Sequence, residues 1–345
     1  MNTNTKEKKE LLDLTIYAFH KPLTAAREAA FYKLLEFSKA YRHLENERLT
    51  SMVIDTHFDV FWKKQQLKMS GVGYVASYPE ARGNGAIRQL MTQLLRENYE
   101  AGTALSYLAP FSYQFYGKFG YSYAFDQKSY TMKAIDFPKG QKTKGEITRE
   151  VLTESAINDD SADSLLSVLT EIHQQAYNQG SLIRPPYLWD YYFKHKSQPY
   201  FAVYREEGKA LGYLIYEFSE MTFVIRELIF LTESAKQALY RFVYSHSGSF
   251  EKVSWVATSD TQLEYDMPEP TRATIQLIPY MQARIINLHE FLKINGQPNF
   301  AAEIVDELIP ENNQIVGTGI PEKMTIGEFT AKVLRENHAI LREYF

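Results

Sequence analysis

The chain has no cysteine in its 345 residues. That absence excludes a disulfide framework, a thiolate nucleophile and zinc-thiolate centres. Its 8 histidines fall at no metal-ligand spacing, so no metal site is expected. No apolar run approaches the roughly 20 residues that a membrane helix needs. The start, Met1 to Glu10, is polar and charged and shows no secretory signal. A basic surplus is also missing. Against 42 Asp and Glu stand 38 Lys and Arg, a net charge of −4, whereas a nucleic-acid binder usually carries the opposite balance. The expected location is cytoplasmic, with neither membrane nor nucleic acid as partner.

What the chain does have is apolar and aromatic bulk: 45% hydrophobic residues, with 25 Tyr and 21 Phe. That is ample for a core, and the length predicts two or three domains. The most informative stretch runs from Gly71 to Gly120. Val72 to Tyr78 reads as a strand, rich in β-branched and aromatic residues and ended by Pro79. A loop punctuated by glycine follows, Arg82-Gly83-Asn84-Gly85. Ile87, Leu90, Met91, Leu94 and Leu95 then recur at helical spacing, and a second strand spans Thr103 to Leu108. Strand, glycine loop, helix and strand make an anion-binding design. Glycines let the backbone approach a phosphate, and the first free amides of the helix point at it. The spacing fits neither a Rossmann fingerprint nor a P-loop.

The rest of the chain reads as follows. Leu11 to Phe19 is a helix, and Thr24 caps a second helix predicted through about Leu44. Ser51 to Trp62 and Ser122 to Met132 are strand material. Lys139 to Gly145 is polar and carries glycine, the best linker candidate. A second unit then repeats the layout of the first. It has a strand at Glu146 to Leu152, a helix at Ser161 to Asn178 and a short aromatic helix at Leu188 to Lys194. A hairpin turns at Glu206-Glu207-Gly208-Lys209; then come a strand at Met221 to Leu231, a helix at Ser234 to His246 and a strand at Val253 to Ala257. Its strand-to-helix junction, Leu231-Thr232-Glu233-Ser234, has no glycine and carries a carboxylate, so this copy is not expected to hold a phosphate. Pro268 and Pro270 mark the next boundary. The predicted domains are 1–143, 144–268 and 269–345.

Arg82 and Gly85 fit the Arg/Gln-x-x-Gly-x-Gly/Ala loop of the GNAT superfamily of N-acetyltransferases, with Ile87 departing at the last position. The flanks narrow the likeness. Val75-Ala76-Ser77-Tyr78-Pro79-Glu80-Ala81-Arg82-Gly83-Asn84-Gly85 and Phe115-Tyr116-Gly117-Lys118-Phe119-Gly120-Tyr121 resemble the enhanced intracellular survival family, as does Pro279-Tyr280-Met281-Gln282-Ala283-Arg284-Ile285. The resemblance implies an α/β (α+β) fold: tandem GNAT-like domains with mixed sheets, the second degenerate, plus a shortened sterol-carrier-like C-terminal domain.

It also implies the chemistry. Acetyl-CoA would be the co-substrate, its pyrophosphate held by Arg82, Gly83, Asn84, Gly85, Ala86 and Arg88. Backbone amides of Val75, Ala76 and Ser77 would polarise the thioester. Tyr116 matches the family's general acid, with Tyr113 and Tyr121 as neighbouring rivals. The chain ends Glu343-Tyr344-Phe345, and the resemblance makes the C-terminal carboxylate of Phe345 the general base, with Glu343 and Glu80 as alternative carboxylates. Tyr74 is expected to line the acceptor pocket or the core. The expected function is N-acetylation of a primary amine, on an aminoglycoside-like, polyamine or lysine-type acceptor, by a homo-oligomer that is hexameric in the family. The alternatives are a non-catalytic CoA- or lipid-binding protein, or transfer to a protein lysine or of a longer acyl group.

Overall fold

Alternation of apolar and polar residues, interrupted by amphipathic helices, builds two similar halves joined edge to edge. The computed structural model describes residues 5–152, 164–176, 179–185, 188–189 and 199–343. The first half runs α1 (Thr5–Phe19), α2 (Ala25–Leu35), β1 (Ser38–Glu45), β2 (Arg48–Trp62), β3 (Gln65–Ser77), α3 (Ala86–Glu100), β4 (Leu105–Leu108), α4 (Tyr113–Gly117) and β5 (Ser122–Lys133). The helix predicted from Thr24 to Leu44 is therefore too long. Thr24 does cap α2, accepting from the Arg27 amide, but the helix stops at Leu35 and Ser38–Glu45 pairs antiparallel with β2. The apolar spacing around Tyr41 fits either period, and the neighbouring strand decides.

The second half runs β6 (Glu146–Glu150), α5 (Leu165–Ala176), β7 (Tyr200–Glu206), β8 (Lys209–Ser219), β9 (Thr222–Phe230), α6 (Glu233–Tyr244) and β10 (Lys252–Thr258). The β7–β8 hairpin turns as expected, with Glu207 and Gly208 both at positive φ, 51° and 76°. The aromatic helix predicted at Leu188 to Lys194 lies mostly outside the described residues.

The remaining chain is β11 (Thr274–Ile285), α7 (Leu288–Asn295), β12 (Ala302–Val305), β13 (Ile315–Val316), β14 (Glu322–Thr325) and α8 (Ile326–Glu336). One sheet of eleven strands spans both halves, in the order β1-β2-β3-β4-β11-β5-β10-β9-β8-β7-β6. The order is close to a mirror about its centre. β5 of the first half lies against β10 of the second, and β11 lies against β4 of the first. β5 and β11 pair with each other along nearly their whole length. Each half thus contributes a strand that lies against the other. Neither sheet could be pulled away without exposing a ladder of backbone groups, which makes the two halves one folding unit.

Helices cover both faces. α3 packs Leu90, Met91, Leu94 and Leu95 against Tyr41, Val53, Val72 and Leu108. α1 and α2 cover the opposite face at Met52, Ile54 and Ala76. α5 and α8 continue that second face across both halves, in a core that also takes in the small sheet β13-β12-β14. A fully buried leucine is worth about 2 kcal/mol, so these four α3 residues hold the helix firmly whatever its open N-terminus costs. Among the described residues no helix is long and apolar enough to cross a membrane.

Candidate active site

β3 and β4 run parallel and pair only from Met69–Leu105 to Val72–Leu108. β3 continues to Ser77, still paired to β2 on its other side. Gly73–Ser77 therefore have no strand on the β4 side, and a wedge opens between the two. The wedge is helped by a bulge in the β2–β3 pairing between Met52 and Ile54, where Tyr74 sits at φ 50°. Sequence predicted the strand but carried no sign of the splay.

At the end of β3 the chain turns through Pro79–Ala81 and reaches the glycine loop. Gly83 and Gly85 lie at φ 85° and 83°, in the left-handed region that a side chain disfavours. A Cβ at either would meet nothing within 4 Å, so conformation and not crowding demands glycine. α2, α4, α6, α7 and α8 are each capped by a side-chain oxygen from Thr24, Ser112, Thr232, Asn287 or Thr325. α3 starts from Gly85 instead, and only the Ala86 amide is taken, by Asn84 Oδ1 at 3.0 Å. Its remaining first-turn amides, with the positive end of the helix dipole, face outward.

A cleft of about 910 Å³ runs from the wedge to this helix start. Every residue expected to hold the cofactor, from Val75, Ala76 and Ser77 to Arg82, Gly83, Asn84, Gly85, Ala86 and Arg88, lines it. Sequence reasoning missed Lys118, Phe111, Phe115 and Phe119 on the far wall and Phe19 at the end of α1. Lys118 lies inside the Tyr116–Gly120 motif, which was its only signal. No ion-pair partner for Arg82, Arg88 or Lys118 is found among the described residues. One wall is thus cationic and rich in amides, the other aromatic, a pairing suited to a phosphate-bearing ligand with an apolar arm.

Tyr116 sits on α4, buried behind that aromatic wall, with ring centroids 5.3 Å from Phe111 and 5.1 Å from Phe115. It does not itself line the cleft. Burial, and secondarily the neighbouring Tyr121, pushes its hydroxyl above the ordinary tyrosine range, so it is a proton donor at neutral pH. The expectation of an unshifted phenol is corrected to that extent. Its rival Tyr121 is also buried, and its hydroxyl is engaged with Ser106 Oγ at 2.7 Å. The motif's last residue, Gly120, lies at φ 76°, and a Cβ there would come within 2.9 Å of the buried Arg284 side chain. Arg284 is bonded to the Phe119 carbonyl and to Asp306, which ties the end of the motif to the C-terminal segment. Tyr74 is half-buried among Phe19 and Phe31, at 5.9 and 5.3 Å, under α1 and α2.

Phe345 lies outside the described residues. Its neighbour Glu343 is buried, 2.9 Å from His173 Nε2, and accepts from Arg184 Nε at 2.8 Å. Burial alone would raise its carboxyl, but Arg184 and His173 outweigh that and hold it well below the usual range. A carboxylate so stabilised is a poor base, which removes Glu343 as an alternative. Glu80 is exposed beside the loop.

The second half repeats the wedge without the cradle. β9 and β10 pair only from Thr222–Lys252 to Ile225–Trp255, and a cavity of about 410 Å³ opens beyond. Here Thr232 caps α6 by accepting from the Ala235 amide at 3.2 Å, and Glu233 stands in the first turn. The cavity wall carries Lys236 bound to Asp266 at 3.1 Å.

Residues 2–124 match a family model described as an acetyltransferase (GNAT) domain, and residues 180–285 match a second model of the same description. A conserved protein of Enterococcus faecalis, described as a probable N-acyltransferase, is 33% identical. The match covers 99% of this chain and 98% of that one, with a TM-score of 0.88. The chain belongs to the GNAT acetyltransferase superfamily. It is an enzyme with two GNAT domains, fused through one mixed sheet, and acyl-CoA is its co-substrate. A GCN5-related N-acetyltransferase of Anabaena variabilis shares the fold at 20% identity, covering 100% of this chain and 93% of that one, with a TM-score of 0.82. Eis1 of Mycobacterium abscessus shares it at 16% identity, covering 96% and 88%, with a TM-score of 0.77. No curated protein matches the chain.

Proposed function

We propose that the first GNAT domain transfers acetyl from acetyl-CoA directly to a primary amine of an aminoglycoside-like, polyamine or lysine-type acceptor. The observation that carries this is the cleft itself. Outward amides at the start of α3, Arg82, Arg88 and Lys118 gather at one end, and the unpaired backbone of Gly73–Ser77 stands at the other. The first set would bind the pyrophosphate. An amide of Val75, Ala76 or Ser77 would donate to the thioester oxygen as negative charge develops there, a contribution of roughly 3 kcal/mol.

The amine nitrogen attacks the thioester carbon and the C–S bond breaks. Tyr116 gives its phenolic proton to the leaving sulfur, and burial keeps that proton in place until the thiolate appears. The terminal carboxylate of Phe345 takes the proton from the attacking nitrogen. The second GNAT domain, with Thr232 filling the helix start and Glu233 beside it, binds no CoA and serves as a wall and support. The third unit is read as a reduced sterol-carrier-like domain that carries the tail back to the sheet through α8.

The test is steady-state kinetics of Tyr116→Phe and of a chain ending at Glu343. Each is expected to lower kcat by about 10²-fold or more while leaving the KM for acetyl-CoA within a factor of about three. Unchanged turnover in both variants would refute these roles.

A further inference from the structure

Chain termini ordinarily fray, yet Glu343, two residues from the end, is 3% exposed and gripped from several sides. Arg184 holds its carboxylate through Nε at 2.8 Å and through a terminal nitrogen at 2.6 Å. His173 stands 2.9 Å away, and the hydroxyl of Tyr280, at the bulge in β11, donates to the Glu343 main-chain carbonyl at 2.7 Å. The segment before it is laced down as well. The Ile340 amide donates to the Gln179 carbonyl at 2.9 Å, and Ser181 Oγ donates to the Ile340 carbonyl at 2.8 Å. The strip 180–183 is itself hydrogen-bonded to Asp59 and Phe61 at the free end of β2.

The charge balance is unusual. Arg184 already makes a two-pronged pair with Glu227 of β9, both contacts at 2.9 Å, and Tyr213 donates to the same carboxylate. A structural ion pair would be complete there. Glu343 adds a second buried carboxylate to one guanidinium, while burial keeps His173 toward its neutral form. Burying that extra charge is costly unless it does something, and what it does geometrically is fix the last described residue. The place it is fixed is informative. Its charge reaches the hydroxyl of Tyr107, a β4 residue one position from Leu108, where β3 and β4 part. That hydroxyl is enclosed and has no hydrogen-bond partner among the described residues. Two further residues span at most roughly 7 Å.

We propose that Arg184, His173 and Tyr280 form a positioning clamp on Glu343, by which the second GNAT domain sets where the chain's own terminal carboxylate is presented to the wedge between β3 and β4. The inference rests on the reading of Phe345 as the base. Arg184 and Glu343 are positioning residues, acting through the two residues that follow. The second domain then contributes to catalysis without a cofactor of its own.

The experiment is a double-mutant cycle between Glu343→Gln and removal of Tyr344 and Phe345, read as kcat, KM for acetyl-CoA and melting temperature. Glu343→Gln leaves the Arg184–Glu227 pair intact. It is expected to lower kcat by about 10²-fold, the cost of misplacing a reacting group by about 1 Å, with KM for acetyl-CoA unchanged. In the chain already lacking Tyr344 and Phe345 it is expected to lower kcat no further. If removal of the two residues lowers kcat but Glu343→Gln does not, or lowers it equally in both backgrounds, the clamp is wrong and the base survives. If removal itself leaves kcat unchanged, the base is wrong and the clamp falls with it. Should Glu343→Gln fail to fold, Tyr280→Phe, which removes only the hydroxyl that holds the Glu343 carbonyl, decides the same cycle.

Discussion

Gly85 is the point at which one atom tests the cofactor site. It begins α3 at φ 83° and ψ 2°, and a Cβ there would stand in open space. Gly85→Ala therefore costs backbone strain alone, about 1–2 kcal/mol for a left-handed residue. For a chain of this size that is a fall of about 2–4 °C per kcal/mol or somewhat less. In the complex the methyl would occupy the approach of a phosphate to the helix amides. Losing one charge-assisted hydrogen bond there costs about 1.5–3 kcal/mol, or roughly tenfold to 150-fold in Kd. Gly85→Asn separates the two effects, because asparagine tolerates the left-handed region while blocking the cradle at least as well. Calorimetric titration with acetyl-CoA and a thermal melt measure both. The expected result is a lowered Tm for the alanine variant alone and weakened acetyl-CoA binding for both. Wild-type affinity in the two variants would refute phosphate binding at the start of α3.

Titration of the wild-type chain is expected to give one acetyl-CoA per chain, since Thr232 already caps α6; two equivalents would mean that the second wedge binds as well. Stability is expected to fall as pH drops below 6.5. Burial, aided by Arg184, keeps the native His173 ring from taking the proton that the unfolded chain accepts. A second loss begins near pH 4.5 and continues toward the depressed native values of Glu343 and Glu227, whose stabilisation is complete only above that point. His173→Gln is expected to flatten the upper part of the melting temperature–pH curve, and an unchanged slope there would contradict the assignment.

The features legible in the sequence were the local ones. Gly83, Asn84 and Gly85 between an apolar strand and the Leu90–Leu95 stripe announced a helix start built for an anion, because backbone conformation at a glycine and periodicity along a helix are set within a few residues. The empty cradle of the second half was equally legible from Thr232 and Glu233. Features that depend on distant partners were not. Ser38–Glu45 was read as helix because only β2 makes it a strand. β11 could be read as extended, but nothing near Thr274 says that it will lie between β4 and β5, about 150 residues upstream. Arg184, Glu227, His173 and Glu343 are four unremarkable residues until the fold brings them together. Glu343 looked like a spare base in the sequence, and burial beside Arg184 makes it an anchor.

The account stands most directly on amine-dependent release of CoA thiol from acetyl-CoA. A thiol reagent reads it without background, because the chain has no cysteine. A panel of polyamines, aminoglycosides and lysine-containing peptides is expected to contain acceptors that release one thiol per acetyl group transferred. Absence of release above hydrolysis with every amine in the panel would contradict N-acetyl transfer by this site.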